Sequence, residues 1–208
     1  VVTWDDHEVD NDYANDIHER HDPRDEFIER RACAYQAYYE HQPLRIGARP
    51  KAYDMELYRR VNYGGLAQFH VIDTRQYRNE QPCGRGTKAQ CAQALDPKQT
   101  ILGEAQTRWL LDGLGRSQAK WNVLANQVIF AKAERKVDDG LGESMDKWGG
   151  YESSRKAVMD AFGSGKVSNP VVLTGDSHAN WAFDLKKDWK DQKSASVGVE
   201  FGGTSISS

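Results

Sequence analysis

A chain of 208 residues is long enough to bury a core and fits one domain or a large part of one. Its 38% hydrophobic and 10% aromatic content excludes a disordered chain, and a formal net charge of −3 with both signs interspersed leaves no broad basic face for a nucleic-acid backbone. No apolar run approaches the ~20 residues needed to span a bilayer.

The chain opens at Val1 without an initiator Met and stops at TSISS, so it reads as an excerpt of something longer, with any targeting signal outside it. Val1 to Trp4 is expected to be the end of a buried strand. DEFIERRACAYQAYYEHQ follows, with Ile28, Ala32, Tyr35 and Tyr39 at helical spacing between Arg and Glu, the pattern of an amphipathic helix. GLAQFHVIDTRQYR is strand-like up to Asp73, and QPCGRGTKAQCAQALDPKQ is a turn-rich insertion ending at Pro97. Helical spacing returns in GEAQTRWLLDGL through Gln106, Trp109 and Leu110, before a strand in WNVLANQVIFA. ESSRKAVMDAFGSG offers serines for an N-cap and Gly163 for a C-cap, with Val158 and Phe162 one turn apart. NPVVLTGDSHANWAFDL then runs apolar to Leu173 and turns polar at Gly175 and Asp176. Strands alternating with helices predict an α/β fold with helix-covered sheets, in which ligands gather at the carboxyl ends of the strands.

Three segments share one layout, an apolar run that ends where polar groups begin: VVTW before DDHE, FHVI before DTRQYR, and VVLT before GDSHAN. Crowded carboxylates repel one another near neutral pH unless cations, metal ions or raised pKa values relieve the repulsion. The oxygens of Asp5, Asp6, Asn11 and Asp176 suit hard cations, with His178 and His7 as nitrogen donors. The bland reading of DDHEVDND is a solvated acidic loop, and that of GDSH a tight turn with a hydrogen-bonded His. An EF-hand loop counted from Asp10 fails, because Asn15 stands at its glycine position and His21 at its closing glutamate position. Arg75 can steer an anionic substrate or be buried against Asp73; Arg31 is a candidate phosphate contact on the first helix. Trp109, Trp121, Trp148 and Tyr151 read as core or wall residues. Cys83 and Cys91 flank GRGTKAQ and are either bridged or two free thiols, while Cys33 lies in a helical pattern.

Taken together, WDDHEVDND, AYQAYYEHQPLR, IDTRQYR, LGEAQTRWL, WNVLANQVIFA, DKWGGY, NPVVLTGDSHANWAFDL and VEFGGTSISS give the chain a resemblance to the PhoD-like alkaline phosphatases of the calcineurin-like metallophosphoesterase superfamily. The resemblance implies a double β-sandwich flanked by helices, incomplete here, with residues 1–208 forming the C-terminal part of the catalytic domain. It implies hydrolysis of small-molecule phosphate esters with iron(III) and calcium (Fe3+, Ca2+), and an exported protein, extracellular or periplasmic. WDDHE would put Asp6 in a metal-ligand slot and His7 facing the substrate, with Asp5 and Asn11 as nearby donors; GDSH would assign Asp176 and His178 to metal. The family's earlier metal-binding blocks, including a Gly-Asp-x-x-Tyr motif, lie upstream of WDDHE and are not in these residues. The rival readings are a non-catalytic calcium-binding module and a carboxylate-pair glycosidase.

Overall fold

A computed structural model of the protein describes residues 2–44, 49–138 and 140–204. Val1 of the opening apolar run, Arg45 of AYQAYYEHQPLR and 205–208 of VEFGGTSISS lie outside them. The elements run α1 (Arg24–His41), β1 (Arg59–Tyr63), β2 (Ala67–Val71), β3 (Thr87–Lys88), α2 (Ala92–Leu95), α3 (Gly103–Arg116), β4 (Trp121–Ala125), β5 (Arg135–Val137), β6 (Gly140–Ser144), α4 (Glu152–Phe162), β7 (Pro170–Thr174), β8 (Trp181–Lys186) and β9 (Ser196–Gly202), with a short 3₁₀ turn at Trp148–Gly150 before α4.

Six strands form one sheet in the order β1-β2-β4-β7-β9-β8. The inner four are parallel, while β1 and β8 are antiparallel edges. The parallel arrangement follows from the helices: α3 lies between β2 and β4, α4 between β4 and β7, and such crossovers return the chain in the same direction. Both helices cover one sheet face. Leu110 and Leu114 of α3 and Val158 and Phe162 of α4 pack there on Leu124, Val172 and Leu185, forming the larger core. β3, β6 and β5 make a separate three-stranded sheet. The expected α/β class, with helices flanking a sheet, is therefore present.

Among the described residues, the other sheet face is apolar and partly open, with Val123 buried at its centre. Register aligns Val61, Phe69, Val123, Val171 and Val199 across five strands, and places Leu173 beside Phe201. Leu173 is 41% and Phe201 49% exposed, well above what a covered core position shows.

A second core lies under α1, where Trp4, Tyr13, Phe27, Tyr35, Tyr38, Met55 and Leu57 meet. Trp4 stacks on Tyr35 with centroids 4.2 Å apart. The buried stripe of α1 is Phe27, Ile28, Arg31, Tyr35 and Tyr38, so it turns toward Tyr38 where Tyr39 was expected. Residues 2–4 belong to no strand. They are instead tied to strand ends by side chains: Thr3 Oγ1 donates to the Ile72 carbonyl and Arg59 Nη2 donates to the Val2 carbonyl. The strand expected over WNVLANQVIFA ends at Ala125, and α4 begins with Tyr151 at the N-cap. Its serines face other work: Ser153 Oγ donates to Leu95 O, and Ser154 Oγ accepts from Ile101 N.

On the helix-covered face, His70 is fully buried and neither ring nitrogen has a hydrogen-bond partner of normal geometry. Burial and the Arg60 charge push its pKa down from 6.5 to about 4, with Asn122 partly opposing them. Between those values the unfolded chain binds a proton that the folded one does not, so stability is full above about pH 6.5 and is lost as the pH falls through about 4. An acid titration followed by fluorescence should show this loss, amounting to roughly 3 kcal/mol at most, and His70→Phe should remove that part of the slope.

Candidate active site at the strand tips

The carboxyl ends of β2, β4 and β7 point the same way, and the segments that follow them are cross-linked. Gly175 N donates to Gln127 O at 3.1 Å, Asn126 N donates to Leu173 O at 2.9 Å, and Gln127 Nε2 reaches both Thr3 Oγ1 and Ile72 O. These bonds gather the 73–78, 126–127 and 175–178 segments around residues 2–6.

At the centre stands Arg75, fully buried. Its Nε donates to Asp5 Oδ1 at 2.7 Å, and its two Nη atoms hold Asp146 in a fork at 2.8 Å each. Arg78 joins from Nη1, 3.1 Å from Asp146 Oδ1, and Gln81 Nε2 donates to the same oxygen at 2.9 Å. The buried arginine expected as one alternative is thus real, with different partners. Asp73 is engaged elsewhere, its Oδ1 accepting the backbone N–H groups of Arg75 and Gln76 in a tight turn after β2. The two nearby arginines, Arg78 before Arg75, hold the Asp146 carboxyl down at a pKa of about 2 against the opposing effect of its burial. Asp5 goes the other way, pushed up to about 7, first by burial and then by Asp6 and Asp176, with Arg75 only partly offsetting them.

Asp6 is a loop-former. Its Oδ1 accepts His7 N at 2.9 Å, its Oδ2 accepts Asp12 N at 3.0 Å, and its carbonyl accepts the N–H groups of Val9 and Asp10. Each carboxylate oxygen keeps a second lone pair. His18 braces the same loop from below, with Nε2 2.6 Å from Asp10 Oδ2. His7 projects from the loop tip with a side chain 79% exposed. Asn11 donates to Glu19 Oε1 at 2.8 Å. Asp176 meets Lys147 Nζ at 2.5 Å. Asp176 and His178 adopt φ values of 60° and 49°, a left-handed backbone that costs non-glycine residues about 1 kcal/mol or more and is retained mainly where function or packing demands it.

Asp5, Asp6 and Asp176 therefore come together, and His7 Nε2 lies 3.9 Å from Asp6 Oδ2 at their exposed edge. Arg31 is elsewhere, 2% exposed, with Nη1 donating to Asn15 O at 2.7 Å and Nη2 to Tyr53 O and Asp54 Oδ1 at 3.0 and 2.9 Å. That guanidinium ties α1 to the 53–54 segment and to Asn15, whose N–H in turn donates to Arg75 O at 2.9 Å. Sequence reading missed Lys147, Asp146 and Gln81. DKWGGY was the available signal, since it puts a carboxylate and an amine next to a Gly-Gly turn; at Gly150 an added Cβ would lie 2.2 Å from Met145 O.

The donor types suit a hard cation, but their number does not. Among the described residues no group of three His, Cys, Asp or Glu side chains could hold a metal ion. Arg75 and Lys147 neutralise Asp5 and Asp176 instead. These residues alone do not make a metal centre.

A helix-flanked α/β architecture thus gathers carboxylates, a buried arginine and a left-handed Gly-Asp-Ser-His turn at parallel strand tips. A model of the PhoD-like phosphatase family matches residues 1–208, and the chain belongs to that family. It is 50% identical to alkaline phosphatase D of Bacillus subtilis (strain 168) over 208 residues, which is all of this chain and 36% of that protein. A solved structure described as "Structure of PhoD" superposes with a TM-score of 0.95 at 50% identity, covering all of this chain and 40% of that one. The chain thus spans well under half the length of these relatives.

Removing the central cation leaves Asp5 without its cationic partner and Asp146 with Arg78 as its remaining arginine. Arg75→Met should lower stability by about 3–5 kcal/mol in urea melts, and adding Asp5→Asn should recover part of that loss, because Asp5 has no other ion-pair partner among the described residues.

Proposed function

We propose that the protein containing this chain hydrolyses phosphate esters, and that residues 1–208 are the C-terminal part of its catalytic domain. The observation that carries the reading is the gathering of Asp5, Asp6 and Asp176 around Arg75 at the tips of the parallel strands. Carboxylates so placed raise one another's proton affinity, a penalty that a bound cation relieves. The finer reading assigns iron(III) and calcium, held in part by Asp5, Asp6, Asn11, Asp176 and His178 and in part by donors outside these residues. Bound metal ions of this kind shield phosphate charge and acidify water.

What the chain's own residues contribute follows from their positions. Arg75 and Lys147 supply fixed positive charge beside the carboxylates, favouring a dianionic substrate near groups that would otherwise repel it. His7, exposed on a loop that Asp6 and His18 hold rigid, is free to meet a substrate from solvent and give a proton to the departing oxygen. Arg31 enters as a positioning residue, because its bonds to Asn15 and Asp54 keep α1 against the 13–16 segment. The Cys83–Cys91 disulfide, formed in the structure, supports an exported protein, since such bonds persist in oxidising compartments.

In the full-length protein, phosphate release from p-nitrophenyl phosphate at alkaline pH should disappear on chelation and return with iron(III) and calcium. Turnover that survives complete metal removal would refute the metal-dependent reading. His7→Ala should lower kcat about 100-fold with metal content unchanged; parallel losses of metal and rate would remove the proton-donor role.

A further inference from the structure

Beside the strand tips is a cleft of about 390 Å³, lined by the 129–135 segment, β6, Lys147, Ser177 and the start of β8. That volume falls in the range of small-molecule sites. Two residues join it to the candidate site: Lys147, which grips Asp176 while lining the cleft, and Ser177, which sits between Asp176 and His178. A phosphate at the carboxylate cluster would have its organic substituent directed here.

The cleft's walls are fixed before anything binds. Glu200, fully buried on β9, accepts the N–H groups of Phe130 and Ala131 at 2.9 and 2.7 Å and the Thr174 hydroxyl at 2.5 Å, so one carboxyl fastens both the 129–135 wall and the base of the Gly-Asp-Ser-His turn. Glu143 is clamped by Arg155 through two bonds of 2.7 and 2.8 Å.

Trp181 and Phe183 stand on the same face of β8 with rings nearly parallel, 11° apart with centroids 5.6 Å distant. Phe183 packs on the core, whereas Trp181 remains 41% exposed in the cleft. Lys132 and Arg135 also line it and have no ion-pair partner among the described residues. An indole face stacks on a flat ring, and cations are drawn to a ring's π face, so both features discriminate a planar π system from a saturated group of equal size.

We infer that this cleft is a subsite for the organic part of the phosphate ester, and that it selects a planar aromatic or heteroaromatic ring stacked on Trp181. The inference rests on the phosphate-ester reading above and adds the class of substrate.

The test uses the full-length protein with benzyl, cyclohexylmethyl and ethyl phosphate, whose leaving groups are all primary alcohols of similar acidity. The benzyl ester should exceed the cyclohexylmethyl ester about fivefold in kcat/KM, with the difference carried by KM, in line with stacking and cation–π strengths. Trp181→Leu should bring the ratio close to one, Trp181→Phe should retain most of it, and the surface pair Lys132→Ala with Arg135→Ala should lower it. A wild-type ratio near one, or a ratio that Trp181→Leu leaves unchanged, overturns the subsite. If none of the three esters is turned over, the phosphatase reading falls by itself. Calorimetric titration with benzylphosphonate then decides the subsite: weaker binding by Trp181→Leu upholds it, and equal affinity or no binding by the wild type overturns it.

Discussion

The buried guanidinium of Arg75 is the interaction around which the strand tips are arranged. It lies two residues beyond the β2 turn residue Asp73 and reaches both the opening loop through Asp5 and the segment before α4 through Asp146, joining residues about 70 positions apart in sequence. A cation with no solvent around it is tolerable only when its charge and its donors are matched. Here the fork geometry of arginine meets Asp146 with two parallel bonds and leaves Nε for Asp5, which a lysine could not reproduce. Arg78 and Gln81 then complete the environment of Asp146. Three distant stretches are thereby brought into register by one side chain.

That arrangement also separates the carboxylates into two chemical types. Asp146 is permanently ionised, fixed between two arginines, and behaves as structure. Asp5 shares Arg75 with it, but its burial, with added repulsion from Asp6 and Asp176, outweighs that charge. An acid group whose ionisation is finely opposed responds to any new positive charge nearby, whereas a saturated pair does not.

Much of the architecture was legible because local pattern and tertiary role agree. The spacing of Gln106 and Leu110, or of Val158 and Phe162, reports a helix with one buried face, and both helices lie where the pattern puts them. Reading failed where long-range contacts set the outcome. Thr3 and Trp4 look like the end of a strand, yet they are held by the Thr3 hydroxyl on the Ile72 carbonyl and an aromatic stack on α1, partners that no local window contains. Arg75 reads equally well as paired with Asp73 two residues away, and only the fold reveals that the turn uses Asp73 for backbone N–H groups. Strand-tip acids could be found from the abrupt change from apolar to polar, but Asp146 and Lys147 follow the short strand β6 at the centre of a small sheet and carry no such boundary. Arg31 illustrates the same limit: a charged residue on a helix suggests a ligand contact, and its bonds to Asn15 and Asp54, remote in sequence, are invisible in that pattern.

The bare side of the six-stranded sheet has a consequence for how this part of the molecule behaves in solution. Each square ångström of hydrocarbon left in contact with water forgoes about 25 cal/mol of stabilisation, and Val61, Leu173 and Phe201 contribute such area in one continuous plane. Flat hydrocarbon of that extent is adhesive toward any similar plane, so these residues expressed without cover would tend to self-associate as concentration rises. Their cooperative unfolding would accordingly be coupled to whatever shields the plane, and a midpoint measured for them would shift with protein concentration as well as with sequence.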